Sequence, residues 1–232
     1  MKKIEISRCE NNLIDKFSDV VIREDYLDLW INGKFFNSVA HSPGNERELV
    51  YGYLFLENII SHKDDVKSFF CEKVDFNHKT CKVKISKTIQ KYFSKKRKID
   101  LDCNMIISFI KETLSKGVIF EKTGGAHISS LSDGKKILSY FEDVSRTATI
   151  LKIAGDFLLR GLKPYIFLTS ARINDRIVNY VKKLDVKIIV SHSAPTDLAV
   201  KKASEFDILL IGFARNNRFN IYNDFLLKHE RI

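Results

Sequence analysis

The C-terminal half of the chain repeats one arrangement: a short apolar run, then a compact polar segment whose side chains could hold a ligand. In order the segments are Thr123-Gly124-Gly125-Ala126-His127, Glu142-Asp143-Val144-Ser145-Arg146, Ser170-Ala171-Arg172-Ile173-Asn174, Ser191-His192-Ser193-Ala194-Pro195-Thr196 and Gly212-Phe213-Ala214-Arg215-Asn216-Asn217-Arg218. Their residue types suit an anion. Glycines without Cβ let a phosphate reach backbone N–H groups, and a guanidinium such as Arg172 presents paired donors to phosphate oxygens. The Ser193 segment leads into a helix start, where free amides attract negative charge. Each segment also has a plainer reading. Gly-Gly is a common connecting turn, His127 a hydrogen-bonded structural histidine, and Arg172 a side chain lying along a helix start. Ser193 and Thr196 can be helix caps, Glu142-Asp143 with Arg146 a surface ion pair, and R-N-N-R a solvated turn. Their recurrence, each behind an apolar run, points to one shared site.

Thiol chemistry is sparse. Cys9, Cys71, Cys81 and Cys103 stand far apart with no C-x-x-C, so neither a zinc ribbon nor a dithiol redox motif is written here, and reduced thiols are expected. Cys103 follows Asp102, a predicted helix cap, and a helix start is where a thiolate is favoured; it is the candidate reactive thiol, against the plainer reading of an apolar filler. Zinc deamination needs a Glu two residues after its first ligand and a P-C-x-x-C downstream. Ser129 stands at that offset from His127, and Thr196 follows Pro195, so no metal site is read.

The elements that must carry these segments are legible in outline. Between Ile4 and Phe36 two strand-like stretches are expected, Val20-Val21-Ile22 and Leu27 to Ile31, with a hairpin turn at Asn32-Gly33. A helix is expected over Glu46 to Ile60, then strands Val66 to Asp75 and Cys81 to Ser86 about an Asn77-His78-Lys79 turn. A lysine-rich run, Lys87 to Lys98, reads as a solvated connector. A helix capped by Asp102 and stopped by Gly117 follows. Thereafter come strands Ile128 to Leu131 and Ile137 to Phe141, helix Ala148 to Leu162, strand Tyr165 to Thr169, helix Asp175 to Leu184, strand Lys187 to Ser191, helix Thr196 to Glu205 and strand Ile208 to Phe213. Such alternation predicts an α/β arrangement, α+β overall: a partly parallel sheet with helices on both faces beside a small N-terminal α+β unit. The expected division is 1–90, a basic connector and helix over 91–117, and a cofactor-binding domain over 118–232. Ligands in such sheets sit at the carboxyl ends of the strands.

A chain of 232 residues that is 44% apolar, with 17 Phe and 8 Tyr, buries a substantial core and is not disordered throughout. Its apolar runs are too short for a membrane span, and Met1 to Arg8 lacks a signal-peptide core, so a cytoplasmic protein without a membrane partner is expected. The formal charge of +10 fits nucleic acid, an anionic small ligand or an acidic protein alike. No nucleic-acid motif appears, and Tyr92 and Phe93 are the aromatics within the basic run, so nucleic acid ranks below the other two.

Taken in order, the polar segments resemble the FdhD/NarQ family, whose pattern runs roughly TGG-x-H, EDVGRHNAVDK, SGRVS, S-x-SAPT-x-LAV and GF-x-R-x-x-R-x-NIY. Asn32-Gly33, Ser42-Pro43-Gly44 and Glu48 to Phe55 resemble the family's NG, TPG and ELA-x-GFL. The resemblance implies a C-terminal domain similar to the cytidine deaminase fold and an accessory role in maturing molybdenum-dependent formate dehydrogenase. In relatives, sulfur passes from a cysteine desulfurase to the bis-molybdopterin guanine dinucleotide cofactor, for which GDP is a simple analogue. The resemblance also implies a homodimer. It assigns cofactor contact to Phe213, Ala214, Arg215, Asn216, Asn217 and Arg218, with Thr123, Gly124, Gly125, His127, Arg172 and Ser193 lining the same pocket. Asparagine amides suit a guanine edge and arginines suit phosphates. Two departures stand out. Thr147 and Leu151 replace the family's histidine and second aspartate, although Arg146 and Lys152 match, and the C-x-x-C sulfur-carrying loop is missing from the stretch between Ser86 and Phe120, where the resemblance makes Cys103 the candidate persulfide carrier. The alternative is a non-catalytic paralogue that binds a nucleotide cofactor or nucleic acid.

Overall fold

The computed structural model describes residues 1–86 and 102–223; the lysine run Lys87 to Lys98 lies outside the described residues. The first half holds more strands than the sequence suggests. β1 (Lys2–Glu10) and β2 (Leu13–Val21) form a two-stranded antiparallel ribbon that turns at Asn11-Asn12, both at positive φ. The turn suits Asn, which tolerates the left-handed region. The expected strand-like stretch Val20-Val21-Ile22 is the end of β2, and periodicity missed the rest of the ribbon because its alternation faces no core. β3 (Asp25–Ile31) and β4 (Lys34–His41) make the expected hairpin at Asn32-Gly33. α1 (Glu46–Leu56) ends before the expected Ile60, where Asn58 adopts φ 60° and turns the chain. β5 (Val66–Asp75) and β6 (His78–Ile85) complete a sheet ordered β4-β3-β6-β5.

That hairpin corrects one expectation. Cys71 and Cys81 are register partners on β5 and β6, their Cα atoms 4.1 Å apart, and their sulfurs are joined as a disulfide. Ten residues separate them in the chain, but the turn lays one beside the other. Among the described residues the free cysteines are Cys9 and Cys103, both exposed.

In the second half, α2 (Cys103–Ser115) is capped as predicted, the Asp102 carboxylate accepting from the Asn104 and Met105 amides at 2.8 and 3.2 Å. Gly117 does more than stop it: it opens α3 (Val118–Thr123), a short helix where the sequence suggested only a turn. β7 (His127–Ser132), β8 (Ile137–Asp143), α4 (Arg146–Arg160), β9 (Ile166–Thr169), α5 (Asp175–Lys182), β10 (Ile188–Ser191), α6 (Asp197–Glu205), β11 (Leu209–Arg215) and β12 (Arg218–Ile221) follow. Their sheet runs β12-β11-β10-β9-β7-β8, parallel among β9, β10 and β11 and antiparallel elsewhere. Strand residues alternate between two cores. Ile166, Leu168, Ile188, Val190, Leu209 and Ile211 face Ile106, Phe109 and Ile110 of α2, while Phe167, Ile189 and Leu210 face the helices of the other side. Each such fully buried side chain contributes about 1.5–3 kcal/mol. The fold is therefore a mixed α+β arrangement with helices on both faces of the larger sheet. No helix among the described residues is long and apolar enough to cross a membrane.

The second core continues into the N-terminal half, because α1 lies directly on α4. Gly52 and Gly155 make the approach possible: a Cβ on either would overlap backbone, the Leu151 carbonyl in one case and the Glu48 carbonyl in the other.

Candidate functional site

Sheet direction gathers the polar segments. β9, β10 and β11 are parallel, so the residues after Thr169, Ser191 and Ile211 emerge on one edge. β7 runs against β9 and therefore begins there with His127, while β8 ends there with Asp143 opposite His127. Hydrogen bonds join successive segments. The Ser170 amide donates to the Ile128 carbonyl and the Ile128 amide to Ser170 Oγ, at 2.9 and 3.0 Å. The His192 amide donates to the Thr169 carbonyl and the Phe213 amide to the Ser193 carbonyl, both at 3.0 Å. Ile173 and Ala194 are joined the same way at 3.1 Å.

The last segment is not a loop but a tight hairpin. β11 runs to Arg215, β12 starts at Arg218, and Asn216 and Asn217 turn between them at φ 52° and 58°. Arg215 and Arg218 are consequently register partners, both exposed. Like charges placed directly opposite repel. Lys111 of α2 adds a third cation, its ammonium donating to Asn217 Oδ1 at 2.6 Å. Arg172 is also exposed, between buried Ala171 and Ile173. Among the described residues none of Lys111, Arg172, Arg215 or Arg218 has an ion-pair partner. His127 and His192, both half-buried, are held below the usual imidazole range, in each case first by burial and then by a neighbouring guanidinium, Arg146 for one and Arg215 for the other. The edge is thus an electropositive rim with two neutral imidazoles.

Two segments do different work from the direct reading. Gly124 ends α3 at φ 64°, its amide donating to the Phe120 carbonyl at 2.8 Å, and the Gly125 amide donates to Thr123 Oγ1 at 3.2 Å. These N–H groups already have acceptors, so Thr123-Gly124-Gly125 shapes the approach to His127 rather than offering free donors. Glu142 is no partner of Arg146: its carboxylate accepts from the Ile119 and Phe120 amides and holds the start of α3. Thr196 caps α6 through the Ala199 amide, whereas the Ser193 amide donates to Ser191 Oγ at 2.8 Å. Cys103 lies at the exposed start of α2, and no described hydrogen bond ties it to this edge.

Beneath the edge lies a charged network that sequence reasoning did not foresee. Lys152, 1% exposed, pairs with fully buried Asp143 at 2.8 Å and donates to the Ser42 carbonyl at 2.9 Å. Asp143 Oδ1 accepts from the Ser42 and Ser145 amides at 3.0 and 2.9 Å, and the Val144 amide donates to Ser42 Oγ at 2.9 Å. His41 Nδ1 donates to the same Ser42 carbonyl at 2.7 Å, which leaves Nε2 buried with no described partner. Burial, then Lys152, pushes this imidazole below its usual range. The sequence signal was the match of Asp143 and Lys152 to the ends of the family's D-V…K stretch, with Lys152 inside the expected helix Ala148 to Leu162. A separate shallow groove of about 630 Å³ lies on the outer face of the N-terminal sheet, lined by residues such as Trp30, Phe70 and Lys82, away from this edge.

The FdhD/NarQ family's sequence pattern matches residues 22–112 and 77–231. The chain belongs to the FdhD/NarQ family. The protein named sulfur carrier protein FdhD in Staphylococcus aureus strain MRSA252 is 30% identical to it over 94% of this chain and 92% of its own, and that of Bacillus subtilis strain 168 is 29% identical over 94% of both. A crystal structure described as a formate dehydrogenase accessory protein, from Desulfotalea psychrophila, has the same fold, with a TM-score of 0.82 over 97% of both chains at 20% identity. Within the FdhD/NarQ pattern, the acidic and lysine ends of E-D-V…K now have a physical reason here. Glu142 starts α3, and Asp143 and Lys152 form the buried pair that fastens Ser42, in the segment resembling TPG, to the second half.

Proposed function

We propose that this chain serves formate dehydrogenase maturation by holding a guanine-bearing, phosphate-rich molybdenum cofactor of the bis-molybdopterin guanine dinucleotide type at the carboxyl edge of the six-stranded sheet. One observation carries the reading. Arg215 and Arg218 face each other across a two-residue turn, with Lys111 beside them and no described carboxylate to offset them. Water screens the repulsion between these exposed cations at little cost, an anion between them removes it, and phosphate oxygens accept from guanidiniums in pairs. Asn216 and Asn217, exposed at the turn, supply the amide pattern a guanine edge needs. His127 and His192, held neutral, add single donors without further charge, and Arg172 and Ser193 border the same edge. The donor set therefore fits the cofactor's nucleotide end. When bound, the cofactor supplies the molybdenum centre to which a sulfur ligand is delivered.

The relatives' name, sulfur carrier, extends to this chain as a delivery role, with apo-formate dehydrogenase as the recipient and a cysteine desulfurase as the sulfur source in the full pathway. The chain contains no C-x-x-C, and Cys103 is the free thiol nearest in sequence to the position of that loop. A role in holding the cofactor therefore does not depend on persulfide at Cys103. Calorimetric titration with GDP tests the reading. Saturable binding that weakens about 10-fold or more in Arg218→Ala supports it, while absence of heat with folded protein, or equal affinity in Arg218→Ala, sinks it.

A further inference from the structure

The turn between β11 and β12 places both Asn216 and Asn217 at positive φ, a conformation asparagine tolerates. The backbone treats the two alike, but their side chains differ. Among the described residues the Asn216 side chain has no hydrogen-bond partner, whereas Asn217 Oδ1 accepts from the Lys111 ammonium at 2.6 Å. An ammonium carries three donors and no acceptor, so the amide atom that faces it is the oxygen and the amide is not free to turn over. Nδ2 is therefore held on the side away from Lys111, with its two N–H donors unused among the described residues. The fold places the lysine. Ile106, Phe109 and Ile110 seat α2 in the core against the sheet, and Thr113 Oγ1 is 2.7 Å from Ser130 Oγ of β7. Lys111 stands on the exposed side of that anchored helix.

A fixed donor selects among bases where cations do not. Phosphates are the same on every nucleotide, so Arg215 and Arg218 favour none of them. Along its N7 edge guanine offers two acceptors, N7 and O6, while adenine carries an N6 amino donor where guanine has O6. A donor locked in place accepts the first and meets the second donor to donor, leaving both groups unpaired. An amide free to rotate turns its oxygen to adenine instead and serves either base. The discrimination therefore resides in Lys111 and not in the asparagine alone. The same lock excludes guanine's N2 amino group, itself a donor, from facing Nδ2. Lys111 lies on a different element from the R-N-N-R turn, and nothing in its helical surroundings in sequence marks it for this task.

We propose that Lys111 is a positioning residue that locks the Asn217 amide with its donors outward, so that the site reads the O6 edge of a 6-oxopurine and rejects adenine. The inference rests on the reading of the sheet edge as a nucleotide site. Calorimetric titration of the full chain with GDP, IDP and ADP tests it, since IDP keeps O6 and N7 but lacks the N2 amino group. GDP and IDP are expected to bind within about 3-fold of each other, and ADP at least about 10-fold more weakly. Lys111→Met weakens all three by removing a cation, and brings ADP to within about 3-fold of GDP. Asn217→Gly, which suits the positive φ and lacks the amide, levels the ratio in the same way, and combining the two substitutions levels it no further. Arg215→Ala weakens all three and keeps their ratio. Absence of GDP binding by folded wild-type protein overturns the nucleotide site and this inference with it. With GDP bound, three outcomes overturn the lock alone: IDP clearly weaker than GDP, a GDP preference that survives Lys111→Met, or one that Arg215→Ala also abolishes, which would give the base to the arginine.

Discussion

Two polar regions built from neighbouring residues follow opposite rules. At the junction of the two halves, Asp143 and Lys152 are buried, paired at 2.8 Å and satisfied by Ser42 and Ser145. At the sheet edge, Arg172, Arg215 and Arg218 are exposed and without a described ion-pair partner. A buried charge tolerates no missing partner, so the two charged groups at the junction, Asp143 and Lys152, hold each other and serve the fold. A charge left in water costs little, so the edge can keep cations in reserve for something outside the chain. The same residue types thus divide between architecture and recognition according to burial.

Substitutions can break that contrast, and the largest effects belong at the junction. Lys152→Met leaves Asp143 charged and alone in the core, and urea denaturation is expected to show a loss of about 3–5 kcal/mol; an unchanged midpoint would mean that the pair is not formed. Combining it with Asp143→Leu is expected to recover part of the loss, because an apolar pair carries no desolvation penalty. Gly155→Ala drives a methyl into the Glu48 carbonyl, and the helices must separate at a cost of about 1–3 kcal/mol or more, read as a lower melting temperature.

The pH dependence has a smaller effect and a definite sign. His41, His127 and His192 are all depressed in the folded protein, so the unfolded chain binds more protons. Stability from this source is full above the unfolded imidazole value of about 6.5 and is lost as pH falls from there through the depressed values. Urea midpoints between pH 7.5 and 5.5 are expected to fall, and His41→Gln to flatten part of the slope; a midpoint that rises on acidification contradicts the assignment. At the edge, Arg172→Ala is expected to leave the unfolding free energy within about 0.5 kcal/mol of wild type while lowering GDP affinity. Cys103→Ser is expected to change neither, and a complete loss of maturation activity in that variant would return persulfide chemistry to this chain.

Where local chemistry decides, the fold was legible in residues. Asp102 capped α2, β5 spanned Val66–Asp75, Asn32-Gly33 turned the β3–β4 hairpin, and the polar segments converged because parallel strands share a carboxyl edge. What stayed hidden depended on long-range neighbours. Nothing local shows that Cys71 will lie beside Cys81, or that Lys152 of α4 will meet the carbonyl of Ser42, and the β1–β2 ribbon has no buried face to betray its period. The R-N-N-R hairpin was read as a loop because the strand-like run after it, Arg218–Ile221, is only four residues long.

The contact between Ser42 and Asp143 spans 101 residues of chain. A ribosome adding about 5–20 residues per second needs roughly 5 to 20 s to make the second partner after the first. During that interval the α1 face around Gly52 and Phe55, which meets Leu151 and Phe157 in the finished fold, has no α4 to cover it. Contacts of such sequence separation form late and slowly. The nascent N-terminal half therefore emerges with an open apolar helix face, a surface that a chaperone would shelter until synthesis reaches α4.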